Sequence, residues 1–365
     1  MLKVLHVVGA RPNFIKMAPI IREMEKYRDE FEQILVHTGQ HYDDNMSRVF
    51  FDQLGLPQPD VNLEVGSGSH AQQTARIMLR FEPVLIEYCP DWVIVVGDVN
   101  STLACTLVCS KLGFKVAHVE AGLRSFDRTM PEEYNRLLTD QMADLLFTPS
   151  RDADDNLLRE GIPVERIHFV GNVMIDTLVH LLPKAEKRWH IQCQNLNLQD
   201  YILFTLHRPS NVDDPDRLKE IVAALVDISR EMTVIFPVHP RTRQRLIENS
   251  KWRWNKERLH LIEPLGYIDF LALEMHASLV LTDSGGVQEE TSYLGIPCLT
   301  IRPNTERPVT ISHGTNSLVT GHRLTLVNAV RDILNAKHTI RNVQCPALWD
   351  GKAAERIVQI MRSLG

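Results

Sequence analysis

The chain has 365 residues, of which 44% are hydrophobic and 24% charged, and its formal net charge is −6. This length fits two α/β domains better than a single hydrophobic core. The slightly acidic balance does not indicate a nucleic-acid surface or a basic membrane patch, so we expect neither partner. An anionic ligand would have to be held by local cations and backbone amides.

The amino terminus reads as a β-strand, and it lacks the apolar core and cleavage site of a signal peptide. No segment approaches the roughly 20 apolar residues of a membrane span, so we expect a cytoplasmic protein. The six cysteines form no CxxC pair. Cys105 and Cys109 share a predicted helix face, but no further ligands complete a site. We therefore predict buried thiols, no disulfides and no metal.

Short β-branched runs alternate with amphipathic stretches through the first half, a pattern typical of parallel sheets with helices on both faces. The predicted strands are Lys3–Val8, Gln33–Thr38, Trp92–Gly97, Lys115–Val119, Leu145–Thr148 and Ile167–Val170. The predicted helices between them are Ile15–Tyr27, Ala71–Tyr88, Ser101–Leu112 and Glu132–Ala143.

The second half restarts this alternation. Its predicted strands are Tyr201–Leu206, Thr233–Val238, Leu259–Ile262, Leu279–Thr282, Cys298–Ile301 and Ser317–Val319. We predict domains at 1–172 and 173–351, with a helix near 352–365 packing back on the first. The predicted fold class is α/β, with two Rossmann-like doubly wound domains around an interdomain cleft, because polar residues follow strand after strand.

Carboxylates follow two predicted central strands, as Asp98 and Glu120, and a third acidic site begins a helix at Glu132. Carboxylates held close together disfavour one another's ionisation, so one can remove a proton while another returns one. Each alone could instead cap a helix or pair with an arginine. Because three segments converge, we predict an acid–base site.

Cations and histidines occupy similar positions after other strands. Arg11 and Lys16 could clamp a diphosphate, although a solvated helix face is the alternative. His207 and Arg208 end the first strand of the second half, and His207 could bond a departing phosphate or be a structural imidazole. His239 has a similar location with weaker support.

Ser284, Gly285 and Gly286 follow an apolar strand and open a helix, where free amides suit a phosphate. Glu290 lies further into that helix, where it could accept from ribose hydroxyls. Arg302 and Arg307 follow in a proline-rich loop, and either could instead be solvated. No GxGxxG follows the first strand and no GxxxxGK[ST] occurs, which disfavours an NAD site and a P-loop.

These residues resemble the non-hydrolysing UDP-N-acetylglucosamine 2-epimerases. The matching motifs are Gly9-Ala10-Arg11-Pro12 with Lys16, Gly97–Ser101, His118–Arg124, Pro131–Arg136, Thr205–Arg208, Thr282–Glu290 and Thr305–Pro308. The resemblance implies a GT-B-like homodimer that needs no metal or nicotinamide. It implies elimination of UDP as the C2 proton leaves, a 2-acetamidoglucal intermediate, and re-addition with C2 protonated from the opposite face.

The resemblance also implies site residues. Asp98, Glu120 and Glu132 would be the acid–base groups, and His207 would assist the departing UDP. The predicted substrate-binding residues are Arg11, Lys16, Asn135, Arg136, Arg208, His239, Ser284, Gly285, Gly286, Glu290 and Arg307.

Two segments depart from the bacterial enzymes that their own substrate activates. Gln40–Asp44 replaces a Gln-His-Arg pattern, and Gly66–His70 lacks the expected basic residue, which makes an allosteric substrate site doubtful. Both segments also resemble 2-epimerases for UDP-2,3-diacetamido-2,3-dideoxyglucuronic acid, which is the alternative substrate. The motifs also leave open a hydrolysing epimerase, a GT-B glycosyltransferase and a non-catalytic UDP-sugar sensor.

Overall fold

The computed structural model describes residues 1–39, 53–196, 200–248, 257–335 and 345–364, without the side chains of residues 192–196, 241, 247 and 248. The chain divides into two compact units. Unit 1 comprises Met1–His180 and Ala347–Gly365, and unit 2 comprises Leu181–Pro346. The first boundary falls inside a long helix, eight residues beyond the position 172 predicted from the sequence.

Unit 1 is built on a seven-stranded parallel sheet of order β3-β2-β1-β4-β5-β6-β7. Its strands are β1 Leu2–Val8, β2 Phe31–His37, β3 Val61–Asn62, β4 Trp92–Val96, β5 Lys115–Val119, β6 Leu145–Thr148 and β7 Ile167–Phe169. The strand order reverses between β1 and β4. In such sheets ligands bind beyond the carboxyl ends of the strands at this reversal.

Unit 2 repeats the plan with a six-stranded parallel sheet of order β10-β9-β8-β11-β12-β13. Its strands are β8 Tyr201–Phe204, β9 Thr233–Pro237, β10 Leu259–Ile262, β11 Leu279–Thr282, β12 Cys298–Ile301 and β13 Asn316–Val319. The order reverses between β8 and β11. The predicted α/β class with two Rossmann-like sheets is therefore confirmed.

Helices cover the sheets because their apolar faces need burial. Those of residues 1–180 are Arg11–Met24, continued by the 3-10 turn Glu25–Tyr27, then His70–Tyr88, Asn100–Leu112, Pro131–Met142, Arg151–Arg159, the 3-10 turn Val164–Arg166 and Val173–Leu196, which runs on into unit 2. The later ones are Pro209–Val212, Pro215–Ile228, Pro240–Glu248, Tyr267–Met275, Gly285–Leu294, Val309–Ser312, Arg323–Asn335 and Ala353–Arg362.

The strands at the centre of each sheet are buried on both faces. All five residues of Trp92–Val96 are buried, as are all four of Leu279–Thr282. These continuous apolar runs are typical of parallel sheets covered by helices on both sides. They give the loops that follow them a rigid base.

The last helix, Ala353–Arg362, packs on unit 1 against the helix Arg11–Met24. Asp176 caps it, accepting hydrogen bonds from the backbone amides of Ala353 and Ala354 at 3.1 and 2.7 Å. Trp349 donates through Nε1 to the carbonyl of Pro149 at 2.9 Å. These contacts attach a segment from the end of the chain to the first sheet.

Burial raises the pKa of Asp176 to about 6, although the two amides oppose the shift. Between the unfolded value near 3.8 and pH 6 the folded state holds more protons, so stability falls as pH rises through this window. We expect this group to contribute about 3 kcal/mol of pH-dependent destabilisation. Urea denaturation at pH 4 and pH 7 gives the free energies of unfolding of the wild type and of Asp176→Asn. From pH 4 to pH 7 the variant should gain stability relative to the wild type. An equal difference at both pH values would contradict the assignment.

Candidate functional site

The carboxylates of unit 1 follow adjacent strands. Glu120 directly follows β5 and Asp98 follows β4 after one glycine, so both lie at the carboxyl edge of the sheet. Glu120 is buried and forms an ion pair with Lys16, a buried residue of the helix Arg11–Met24. Glu120 adopts a φ of 71°, a left-handed conformation that non-glycine residues seldom take. The backbone turn thus directs this carboxylate out of the strand.

Gly97 allows this pair to sit against β4. A Cβ at Gly97 would lie 3.1 Å from Lys16 Nζ and 3.3 Å from Glu120 Oε2, and its φ of 67° favours glycine. The Lys16–Glu120 ion pair therefore lies beside the backbone that leads directly into Asp98. The Asp98 and Glu120 segments predicted from the sequence are close together at this edge.

Arg136 connects Asp98 to the helix Pro131–Met142. The Arg136 side chain is buried, with Nη1 paired to the carboxylate of Asp98 and Nη2 paired to Glu133 at 2.5 Å. Asn135 donates through Nδ2 to the carbonyl oxygen of Asp98 at 2.8 Å. Predicted as substrate-binding, Asn135 and Arg136 are placed by the structure against Asp98.

Glu133 and Glu132 have different surroundings although they are adjacent. Glu133 is buried and accepts from the backbone amides of Ser125 and Phe126 at 3.0 and 2.9 Å. Burial opposes ionisation of Glu133, but Arg136 and Ser125 outweigh it and lower its pKa. Glu132 is half-buried in the first turn of the same helix, one turn before Arg136. Arg11, at the start of the first helix, is exposed.

His118 braces the backbone of this edge, a role that the sequence reasoning did not assign. Its Nε2 lies 2.8 Å from the carbonyl oxygen of Gly97, and its Nδ1 lies 2.6 Å from Asp140. Burial works to raise the pKa of Asp140, but His118 and Arg124 outweigh it and the pKa is lowered. His118 belongs to the matching motif His118–Arg124, but Asp140 lies 22 residues further along the chain, in the helix Pro131–Met142.

In unit 2, Asp283 positions the predicted His207. Asp283 directly follows β11 and is fully buried, and its Oδ1 lies 2.9 Å from His207 Nδ1. Backbone amides of His207 and Arg208 donate to it at 3.2 and 2.8 Å. Burial opposes ionisation of Asp283, but these partners prevail and its pKa is lowered. The His207 ring, 43% exposed, is thereby oriented with Nε2 away from Asp283.

The helix Gly285–Leu294 begins beside a cluster of buried arginines. Ser284 is its N-cap residue, and the Ser284 amide donates to the Thr282 hydroxyl at 3.0 Å. Gly285 and Gly286 open the helix and are half-buried, and amides at a helix start suit an anion. A Cβ at Gly285 would meet Arg307 Nη1 at 2.7 Å, so glycine allows the guanidinium to approach. This end of the helix can bind a phosphate.

Glu306 holds that arginine cluster together. Its carboxylate oxygens lie 2.6 Å from Arg307 Nη1, 2.7 Å from Arg302 Nη2 and 3.6 Å from Arg208 Nη2. Burial would raise the pKa of Glu306, but the three guanidinium groups hold it well below the ordinary value. One buried carboxylate therefore gathers cations from two separate loops.

Glu290 is buried in the helix Gly285–Leu294 and accepts a hydrogen bond from the Tyr267 hydroxyl at 2.7 Å. His239, exposed after β9, has its ring centroid 6.2 Å from that of His207. The structure thus places the predicted residues of unit 2 in the segments after the carboxyl ends of β8, β9, β11 and β12 and in the helix after β11.

Some predictions fall outside the described residues, namely those on Gln40–Asp44 and on the side chain of Cys193. Within the described ranges, no group of three or more His, Cys, Asp or Glu side chains is arranged to hold a metal ion. Over the same ranges, no helix combines the length and apolar character needed to cross a membrane.

Comparisons with known proteins agree over the whole chain. The family model described as UDP-N-acetylglucosamine 2-epimerase matches residues 22–362. A relative of that name from Methanocaldococcus jannaschii is 46% identical over 99% of both chains. A UDP-2,3-diacetamido-2,3-dideoxy-D-glucuronate 2-epimerase from Pseudomonas aeruginosa is 42% identical over 100% of both chains.

A solved structure extends the similarity to three dimensions. The crystal structure of Methanocaldococcus jannaschii UDP-GlcNAc 2-epimerase in complex with UDP-GlcNAc and UDP is 47% identical, covers 100% of both chains and has a TM-score of 0.91. Sequence, family model and structure all lead to one assignment: the chain belongs to the UDP-N-acetylglucosamine 2-epimerase family.

Proposed function

We propose that this protein is a non-hydrolysing epimerase that interconverts UDP-N-acetylglucosamine and UDP-N-acetylmannosamine. The observation that carries the proposal is that one chain contains both a pair of carboxylates suited to proton transfer and a helix start suited to a phosphate. Asp98 and Glu120 lie at the carboxyl edge of one sheet, and a helix N-terminus with clustered arginines follows a strand of the other. The names of the relatives that match the full chain support this substrate.

The proposed reaction has two half-steps that mirror each other. A carboxylate takes the proton from C2, the C–H electron pair forms the C1=C2 double bond, and the C1–O pair leaves with UDP. The UDP oxygen then adds to C1 of the 2-acetamidoglucal, while C2 receives a proton on the opposite face. Two carboxyl groups in opposite protonation states supply both transfers.

Asp98, Glu120 and Glu132 are the proposed acid–base groups. Glu120 is paired with Lys16, and Asp98 is paired with Arg136, so a cation lies against each of these two carboxylates. Glu132 is half-buried at a helix start, and we propose that it exchanges protons with the substrate. Asn135 and Arg136 act in this proposal by positioning Asp98, and Arg11 contacts the substrate.

The nucleotide is assigned to unit 2. The diphosphate would be bound by the amides of Gly285 and Gly286, by the Ser284 hydroxyl and by the guanidinium groups of Arg208 and Arg307. His207, held by Asp283, would stabilise the departing UDP, with His239 nearby. Glu290 would accept hydrogen bonds from the ribose hydroxyls.

A heavy-water NMR assay over a panel of UDP-sugars tests the function directly. We expect UDP-N-acetylglucosamine alone to give UDP-N-acetylmannosamine with deuterium at C2 and no free N-acetylmannosamine. The panel includes UDP-2,3-diacetamido-2,3-dideoxyglucuronic acid, because a relative 42% identical is named for that substrate. Exchange only with the glucuronic acid derivative would reassign the substrate. Binding without exchange of any sugar would indicate a sensor, and a need for an acceptor would indicate a glycosyltransferase.

Replacing Glu290 should weaken nucleotide binding rather than chemistry. We expect Glu290→Ala to reduce UDP affinity at least about tenfold, since a charged hydrogen-bond acceptor is worth about 1.5–3 kcal/mol. Calorimetric titration with UDP measures this directly. Thr291→Val is the control for loss of a buried polar group on the same helix, because the Thr291 hydroxyl donates to the carbonyl of Val287 at 2.7 Å. An unchanged UDP affinity in Glu290→Ala would remove the ribose role.

We also propose a cytoplasmic homodimer. None of the five cysteines with described side chains forms a disulfide, as expected in a reducing compartment. Leu79 and Ile86, seven residues apart on the helix His70–Tyr88, are 72% and 60% exposed and would suit a subunit contact. Light scattering should give twice the chain mass for the wild type and a lower mass for Ile86→Glu. A monomeric wild type would exclude the dimer.

A further inference from the structure

Two buried carboxyl groups meet between adjacent helices of unit 2. Glu274, fully buried in the helix Tyr267–Met275, is within hydrogen-bonding contact of Glu290 in the helix Gly285–Leu294. Tyr267, two turns before Glu274 on the same helix, donates to Glu290 Oε1 at 2.7 Å. Within the part of the chain that the structure describes, no donor group reaches either carboxyl oxygen of Glu274.

Two ionised carboxylates would not be stable in this contact. Each is excluded from water, and two adjacent negative charges repel strongly at low dielectric. A single shared proton removes the second charge and also creates the missing hydrogen bond. Since Tyr267 stabilises negative charge on Glu290, the proton belongs on Glu274. The pKa of Glu274 is raised well above its ordinary value, mainly by burial and next by the neighbouring Glu290.

The other titratable groups near the pair do not supply a compensating positive charge. Cys298, at the start of β12, remains a neutral thiol because burial raises its pKa to about 12. The Tyr201 hydroxyl from β8 donates to the carbonyl of Leu273 at 2.5 Å. Charge neutralisation at the pair therefore depends on the proton.

We propose that Glu274 is a positioning residue for nucleotide binding, whose neutral carboxyl donates a hydrogen bond to Glu290 and holds it as a carboxylate acceptor for the two ribose hydroxyls. The inference rests on the proposed function, specifically on the ribose role of Glu290. In this proposal the charged Glu290 accepts from the ribose diol, while the neutral Glu274 and the Tyr267 hydroxyl both donate to Glu290.

The test compares UDP with 2′,3′-dideoxy-UDP, which lacks both hydroxyls. Calorimetry on the wild type, Glu274→Gln and Glu274→Leu gives the ratio of the two affinities. The glutamine amide keeps a neutral donor, so we expect that variant to preserve the ratio within about twofold. Leucine removes the donor and leaves Glu290 beside an apolar group, which should lower the ratio at least about tenfold. A merely structural defect would weaken both ligands alike and leave the ratio unchanged.

The outcomes separate this inference from the function on which it rests. Equal affinities of the wild type for the two nucleotides would remove the ribose role of Glu290 itself. A discriminating wild type with an unchanged ratio in a folded Glu274→Leu, or a collapsed ratio in Glu274→Gln, would overturn only the role of Glu274. Should the leucine variant fail to fold, Glu274→Met replaces it, because methionine keeps the length of the side chain and has no donor. A ratio in that variant equal to the wild-type ratio would overturn the proposal.

Discussion

Asp98→Asn and Glu120→Gln should each lower the epimerisation rate at least about 100-fold, the scale expected for losing a positioned acid or base. Both substitutions keep the side-chain size and retain a hydrogen-bond acceptor for Arg136 or Lys16. They remove the charge that takes up a proton. Initial rates of UDP-N-acetylmannosamine formation and of deuterium uptake at C2 measure the loss.

The control for these variants is Glu87→Gln, an exposed carboxylate on the helix His70–Tyr88. It should retain wild-type turnover, and melting curves should show that all three variants are folded at the assay temperature. Near-normal turnover in both Asp98→Asn and Glu120→Gln would refute the acid–base assignment. Loss of epimerisation with unaltered exchange at C2 would instead assign the replaced residue to proton delivery on the opposite face of C2.

Arg136→Met should strongly destabilise unit 1. The guanidinium is buried and bonded to Asp98 and Glu133, so its removal leaves the buried carboxylate of Glu133 without its cation. Breaking a buried pair from one side costs about 3–5 kcal/mol. Urea denaturation gives the free energy of unfolding, and turnover should fall as well because Asp98 loses its support.

A second substitution distinguishes the charge effect from lost packing. Adding Glu133→Gln to Arg136→Met removes the uncompensated carboxylate, and we expect this double variant to recover part of the lost stability. Arg136→Lys, which keeps the charge with fewer donors, should be intermediate. If all three variants were as stable as the wild type, the Arg136 network would have no structural role.

Several strands were predictable because polar residues mark their ends. Lys115–Val119, Leu145–Thr148, Leu259–Ile262 and Leu279–Thr282 agree with the structure at both ends, since polar or glycine residues bound each apolar run. The two-residue strand Val61–Asn62 was missed because it is too short for any periodicity. The first helix begins at Arg11 instead of Ile15. Pro12 lies in its first turn, where backbone amides have no partner within the helix, so the missing amide of proline costs nothing there.

The residues that support the candidate site were less predictable, because their roles depend on distant partners. Asp283 meets His207 from 76 positions along the chain, and neither motif alone indicates that contact. The sequence also presents Glu132 and Glu133 side by side. Only the packing of Ser125 and Phe126 identifies Glu133 as the buried one. Glu274 lies outside every matching motif, and its proposed role depends entirely on its contact with Glu290 in the neighbouring helix.

The attachment of residues 347–365 to the first sheet has a consequence for biosynthesis. A ribosome releases the chain from the amino terminus, so residues 181–346 emerge while the first globule still lacks its closing helix. The helix that carries Lys16 rests on Ala353–Arg362, which leaves the exit tunnel only after all of unit 2. Nascent unit 1 therefore exposes an apolar face until that segment arrives, and the first globule is completed after the second has been synthesised.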